Sequence, residues 1–424
     1  GDTNLHAYAC IWLYLGRMRL SWVLPAFAVS VVIACSTFGS DDDDPSPVAD
    51  GGAADAADAA QSLPDGAPPP LPDASPDGDA GTPCRPPLAR LGASTTVPVG
   101  SAAVAALPDG DLVVAGQEAC AGGTFGVYRV TVGKATTRAA CLGEPAEFVV
   151  GIAADATGVV VLTRYPGTGF TGSRIYRLKL DLTERASPVS TTTPAKITFP
   201  TAAARVSGLD LYATFDGTDS VLRLGSDART MPFAGQVVAA LVPDGPRLLA
   251  VVTPSNTTGA TEVWLRRWNA APNGTLIDDP NFGPQGRVSV PVAAASSSYM
   301  LYASTSIASR DGVTSLGIPV SGSATAYVHP AKHTVGPVGS GVGLVSVAHV
   351  CDGSLLVAHG GSGQGGAISR FAKPTTDPTA DATWQLMTEG RLRGLVTLPD
   401  GDFAVTAEVN GGAGLETRIT KLAR

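Results

Sequence analysis

The chain has 424 residues, a formal net charge of −8, and only 16% charged residues against 44% hydrophobic ones. It is too long for one ordinary small core. Its 50 Gly and 33 Pro argue against long helices, and its Lys and Arg are not clustered, which excludes a nucleic-acid footprint.

In chain order, Arg17 and Arg19 come first, followed by the uncharged stretch "LSWVLPAFAVSVVIA" from Leu20 to Ala34. Basic, then apolar, then small is the layout of an export signal. The stretch is short for a membrane span, which needs about twenty residues. Val32, Ile33, Ala34 and Cys35 close it and resemble a bacterial lipobox. The resemblance implies that the signal is cut before Cys35, whose thiol carries a diacylglyceryl group. Cys35 would then be the new N-terminus and would anchor the protein in lipid. Ser36 follows rather than Asp, which resembles an outer-membrane destination, facing periplasm or cell surface. Residues 1–17 precede Met18, the natural start of this pattern, so 1–35 is read as leader plus signal peptide.

Residues 36–83 form a segment of another kind. It holds eleven Asp and no Lys or Arg, with Ala, Gly, Pro and Ser making up most of the rest. Such a stretch has too little apolar surface to offset the entropy of ordering, and like charges extend it. It is expected to be a disordered tether with a reach of roughly 35 to 40 Å. Its acidity accounts for the negative net charge and leaves the rest of the chain slightly basic. Asp tracts in flexible chain lack the fixed geometry of a calcium loop.

From 84 to 424 the pattern is short apolar runs separated by Gly- and Pro-containing turns, which reads as all-β. Seven hairpin-like runs recur, at 104–116, 151–164, 204–216, 238–252, 293–305, 345–360 and 392–408. Pro108-Asp109-Gly110, Pro243-Asp244-Gly245 and Pro399-Asp400-Gly401 supply one kind of turn, and Cys351-Asp352-Gly353 takes the same place. A further strand often follows each hairpin, with Tyr128, Tyr176, Leu222 and Trp264 at comparable positions and an Arg soon after. One such unit cannot bury both faces of its sheet, whereas a closed ring of stacked units can. The expectation is a seven-bladed β-propeller, with "STTVPV" at 94–99 adding an outer strand to the last blade.

"LPDGDLVVAG" followed by "YRV" resembles the delta-60 type of propeller repeat, and "NGTLIDDPNFG", Asn273–Gly283, resembles that repeat's closing segment. The whole layout resembles lipoproteins of delta-proteobacterial (myxobacterial-type) predators and gliders. Neither resemblance implies a reaction or a cofactor.

Without the leader and Cys35, four cysteines remain in a compartment expected to be oxidising. The favoured pairs are Cys120 with Cys141, at the edge of blade one, and Cys84 with Cys351, clamping the N-terminal strand. Two of the His candidates, His329 and His333, sit beside prolines in a loop. His349 and His359 bracket the sixth hairpin, where cross-strand contact is conceivable, but neither pair has a Cys or acidic neighbour that would make a metal site. No catalytic residues are expected. "GSGQGG" at 361–366 lacks the helix a phosphate loop needs. Gly/Ser/Thr-rich loops at 116–124, 166–172, 254–260, 306–312 and 360–366 are expected to share one rim. Two functions remain: a membrane-anchored binding or scaffold module, monomeric, meeting a protein or glycan at that rim, or a polysaccharide-active hydrolase or lyase.

Overall fold

The computed structural model describes Cys84 and residues 90–423, apart from 168–169, 192–198, 226–228, 256–261, 272–273, 292–305, 321–322, 341, 362–364, 388–389 and 413. Cys35 and the acidic segment lie outside the described residues. Among the described residues no helix is long and apolar enough to cross a membrane.

Strand β1 (Leu91–Val97) comes first and is used last. Blade one is β2 (Gly100–Ala106), β3 (Leu112–Cys120), β4 (Gly123–Val130) and β5 (Thr137–Leu142). Blade two is β6 (Phe148–Asp155), β7 (Gly158–Gly167), β8 (Phe170–Leu178) and β9 (Glu184–Thr191). Blade three follows with β10 (Phe199–Val206), β11 (Leu209–Phe215), β12 (Ser220–Leu224) and β13 (Arg229–Phe233). Blade four has β14 (Gln236–Asp244), β15 (Arg247–Pro254), β16 (Glu262–Ala270), β17 (Leu276–Asp278) and β18 (Arg287–Pro291). Blade five is β19 (Ser306–Arg310), β20 (Val313–Val320), β21 (Ser323–His329) and β22 (His333–Ser340). Blade six is β23 (Val342–His349), β24 (Leu355–Gly361), β25 (Gly366–Phe371) and β26 (Ala382–Met387). Blade seven is β27 (Arg391–Thr397), β28 (Phe403–Gly411), β29 (Gly414–Leu422) and, as its outer strand, β1.

This is a seven-bladed propeller. The first strands touch one another in a closed cycle, from β2 through β6, β10, β14, β19, β23 and β27 back to β2. Closure is by strand exchange as expected, with Ser94 opposite Thr420 and Val97 opposite Thr417. Second strands read as unbroken apolar runs because both of their faces are buried. In β3, Val113 and Ala115 pack toward blade two with Val159 and Tyr176. Leu112 and Val114 pack toward blade seven with Ala404 and Ile419. Trp268, fully buried, plugs the gap between blades three and four, edge-on to Phe233 at 6.1 Å.

The turns between first and second strands share one construction in blades one, six and seven. Leu107 N–H donates to Asp111 O and Gly110 N–H to Leu107 O, and the same bonds recur at Val350–Ser354 and Leu398–Asp402. The Asp side chain then accepts from the N–H two residues on, Asp111, Ser354 or Asp402. Gly110, Gly353 and Gly401 take φ of 90°, 85° and 77°, which other residues resist. Blade four departs from the expectation. Its Pro243 and Asp244 belong to β14, and the turn is Gly245-Pro246. Pro246 has no N–H to give Asp244, so the repeated turn cannot form there.

Two further expectations need correction. Blade five begins with β19 and turns at Asp311-Gly312, so its hairpin is not the run at 293–305, and 306–312 is not a rim loop. Most of 293–305 lies outside the described residues. Trp264 pairs with Val252, two residue pairs beyond the Ala250–Arg266 pair that matches Tyr128, so it is out of register with Tyr128 and Tyr176.

Candidate functional site

The strand pairing exposes a repeat the sequence only hinted at. One residue on each third strand sits opposite the start of the second strand: Arg129, Arg177, Arg223, Arg267, His329, Arg370 and Lys421. All are basic residue types, and most meet carboxylates at the turns. Arg129 reaches Asp111 at 2.7 Å and also pairs with Asp109. Arg370 reaches Asp352 at 2.8 Å, Lys421 pairs with Asp400 and Asp402, and Arg267 reaches Asp279 at 2.7 Å. Arg177 crosses to the next blade and meets Asp210 at 2.5 Å. Burial alone would raise the Asp111 carboxyl, but hydrogen bonds from Arg129 and Thr131 outweigh it and hold it below the usual Asp value. At Asp352 the same contest is won by Ser354 and Arg370. These clasps lock the end of the ring called here the turn face.

A central cavity of about 560 Å³ is lined by residues of all seven first strands. The lining is mostly small and apolar, with Ala105, Ala153 and Ala203 typical. Its titratable groups are Arg205, Arg310 and His349. Arg205 is buried and lies 3.2 Å from Asp210 and 3.5 Å from Asp155. Arg310 pairs with Asp311 at 3.3 Å. His349 is 6% exposed and its Nε2 has no hydrogen-bond partner. Burial, and then repulsion from Arg310, pushes its pKa down to about 4. The imidazole is therefore neutral at pH 7.

The opposite end, here the loop face, carries the second-to-third strand connections. At its edge Glu147 is fully buried and accepts from Arg174 Nη1 at 3.2 Å and the Tyr176 hydroxyl at 2.9 Å. Thr163 donates to its other oxygen. Glu408 joins the ring ends by accepting from the Ser101 N–H at 2.8 Å and from Arg393. Neither carboxylate was singled out from the sequence. Their partners come from separate segments, and no short motif marks them. The same face exposes Phe148 (49%) and Val150 at the start of β6, and Leu415 (50%) at the start of β29.

Both disulfides form as paired from the sequence. Cys84 and Cys351 have Cα atoms 5.6 Å apart, and Cys120 and Cys141 have theirs 6.0 Å apart. The histidine pairs are not brought together as imagined: His349 lies opposite Leu355 and His359 opposite Val345, at opposite ends of one hairpin. His329 and His333 end β21 and begin β22, where His333 Nε2 meets Pro374 O at 2.8 Å. Among the described residues no group of three His, Cys, Asp or Glu is placed to hold a metal ion.

No protein-family model matches the chain, and no curated protein matches it. Solved structures similar to it include the Neurospora crassa Pan2 WD40 domain, at 10% identity and a TM-score of 0.45, over 80% of this chain and 98% of that one. Another is the Myceliophteria thermophila Cps50 (Swd1) β-propeller domain, at 13% identity and a TM-score of 0.49, over 77% and 98%. A third is BBS1N in complex with ARL6DN, at 12% identity and a TM-score of 0.45, over 80% and 97%. The blade count rests on the strand pairing of this chain.

Proposed function

We propose that the chain is an extracytoplasmic binding or scaffold module, held to an outer membrane through acylated Cys35 and presenting its loop face to a protein or glycan partner. The propeller supports the binding half of this reading. The observation that carries it is the contrast between the two faces. The turn face is closed by repeated clasps and exposes Ile277 and Leu91 on the outer strands β17 and β1, whereas the loop face leaves Phe148 on an inner strand and Leu415 at the start of β29 about half exposed. Large apolar side chains kept at a rim mark a contact surface more often than isolated exposure does. The anchoring half is supported by the basic, apolar and small order that ends at Cys35 and by the acidic spacer after it.

The test has two arms. Cys35→Ser should release the protein from membranes, and mass spectrometry of the mature chain should find a diacylglyceryl group on Cys35. An unmodified Cys35 inside an intact N-terminus would overturn the anchor. Phe148→Arg with Leu415→Arg should abolish retention of the native envelope partner while leaving the melting temperature unchanged. Undiminished retention would overturn the loop face as the contact surface.

A further inference from the structure

Blade five is the one blade in which the repeated third-strand cation is a histidine. His329 has no clasp, because the acid of its own turn, Asp311, pairs with Arg310 instead. Beside His329 the outer edge of blade four is also unusual. β17 and β18 both pair with β16, and the chain between them, 279–286, leaves the sheet with Asp279 and Phe282 buried. Arg267 holds that excursion by its bond to Asp279 and by lying over the Phe282 ring at 4.4 Å. Gly283, at φ 146°, lets the chain return, since a Cβ there would meet Arg287 O at 2.4 Å. The proposed function leaves this segment unused.

The excursion and blade five enclose a crevice of about 310 Å³. Phe282 and Val288 form an apolar wall, and the polar lining includes Arg287, Lys332, Tyr327 and His329. No carboxylate lines it. The nearest acid on β16, Glu262, accepts from Ser289. Arg287 lies over the Trp264 ring at 5.6 Å, and neither it nor Lys332 has a carboxylate partner among the described residues. Tyr327 is 2% exposed, yet its side chain makes no hydrogen bond among the described residues, and burial raises its hydroxyl pKa. His329 touches Phe282 edge-on at 4.9 Å and keeps a buried Nδ1 without a partner. Two exposed cations without a carboxylate partner, an unbonded hydroxyl and an unbonded imidazole nitrogen face one cavity. The His329 Nδ1 is costly to keep buried and unbonded, and an anion between the exposed Arg287 and Lys332 and the Tyr327 hydroxyl would be attracted with no carboxylate competing for it.

We propose that the crevice between blades four and five binds a small organic carboxylate carried on an apolar ring. Arg287 and Lys332 hold the carboxylate, Tyr327 donates to it, and the ring lies against Phe282 and Val288. The forked guanidinium suits the two carboxylate oxygens. The volume exceeds what a bare carboxylate fills and falls at the lower end of small-ligand pockets. The apolar wall disfavours a strongly hydrated dianion.

The probe is sodium benzoate, titrated into the full chain by calorimetry and by following the His329 imidazole resonance. Saturable binding with a shift at His329 is expected, weakening as salt rises. Arg287→Gln and Lys332→Gln should each weaken it at least about fivefold, and Tyr327→Phe about threefold. Val288→Trp should fill the crevice and abolish binding, while His349→Gln, in the central channel, should leave it unchanged. Absence of a saturable shift at His329, or binding indifferent to Arg287, Lys332 and Val288, would overturn the proposal. Inorganic phosphate binding as tightly as benzoate, with the same sensitivity, would show a bare-anion site and overturn the ring-bearing class.

Discussion

At the turn face, blades one, six and seven close their first hairpins with the same backbone bonds, and a basic side chain from the third strand grips the turn carboxylates. At the loop face the connections differ from blade to blade, from 121–122 in blade one to 255–261 in blade four. Hydrogen bonds there are made once each, as at Glu147 and Glu408. The difference teaches where the two demands on a ring are met. Repetition belongs where every blade must do the same thing, which is to turn and lock. Variation belongs where, on the proposed function, a partner would find one direction around a ring of similar blades. The disulfides divide in the same way, with Cys351 in a turn of the turn face and Cys120 near a loop-face connection.

This contrast can be broken most forcefully at Arg205. Its buried guanidinium lies between Asp155 and Asp210 at the junction of blades two and three. Arg205→Ala removes one partner from each carboxylate, leaving Asp210 with Arg177 and Asp155 with Thr157 and Gly208, and should cost about 3 kcal/mol in chemical denaturation. A loss below about 1 kcal/mol would mean that this buried group contributes no more than a surface ion pair. Next come the disulfides. On the loop-closure model, removing Cys84–Cys351, with its separation of 267 residues, should cost about 2 to 5 kcal/mol. Removing Cys120–Cys141, with a separation of 21, should cost about 3 kcal/mol. Reduction should lower the melting temperature of each variant yet leave β-sheet circular dichroism intact, because blade stacking supplies most of the stability.

pH sharpens the same comparison. The folded His349 pKa of about 4 lies below its unfolded value near 6.5, so the unfolded state takes up the proton first. Its contribution is fully present above pH 6.5 and is lost as pH falls toward 4. The loss should approach about 3 kcal/mol in total, and His349→Gln should flatten that part of the curve. Asp111 and Asp352 act lower on the scale. Their depressed folded pKa values contribute stability above the ordinary Asp pKa, and it is lost as pH falls through the folded values. The smallest effect is expected on the loop face, where Leu415→Ser should change stability by no more than about 0.5 kcal/mol. A larger loss would place Leu415 in the core and weaken its role as a contact.

Much of the ring was legible in the sequence because the second strands, buried on both faces, carry continuous apolar runs and the turns carry Asp-Gly. The closing strand at 94–99 and the Cys84–Cys351 pair could be read because ring closure brings the N-terminal segment back to the last blades, and Cys120–Cys141 because both lie at the edge of one blade. Blade five was misplaced because its first strand, "SIASR", is short and polar, while the upstream run at 293–305 looks more like a hairpin. Asp311-Gly312 was the signal that locates it. Blade four's turn was misread because the Pro-Asp-Gly string hides the missing N–H of Pro246. The candidate surfaces were less legible. The loop-face carboxylates draw partners from distant segments, and the crevice depends on two blades meeting, which no single stretch records.

The most direct test of the account places a photo-crosslinking residue at position 148 in one protein and at position 109 in another, each as the full lipidated chain on membranes of the organism that makes it. The account predicts adducts to one envelope component from position 148 and none from position 109. Adducts from position 109 alone would contradict it and make the clasped turn face the contact surface.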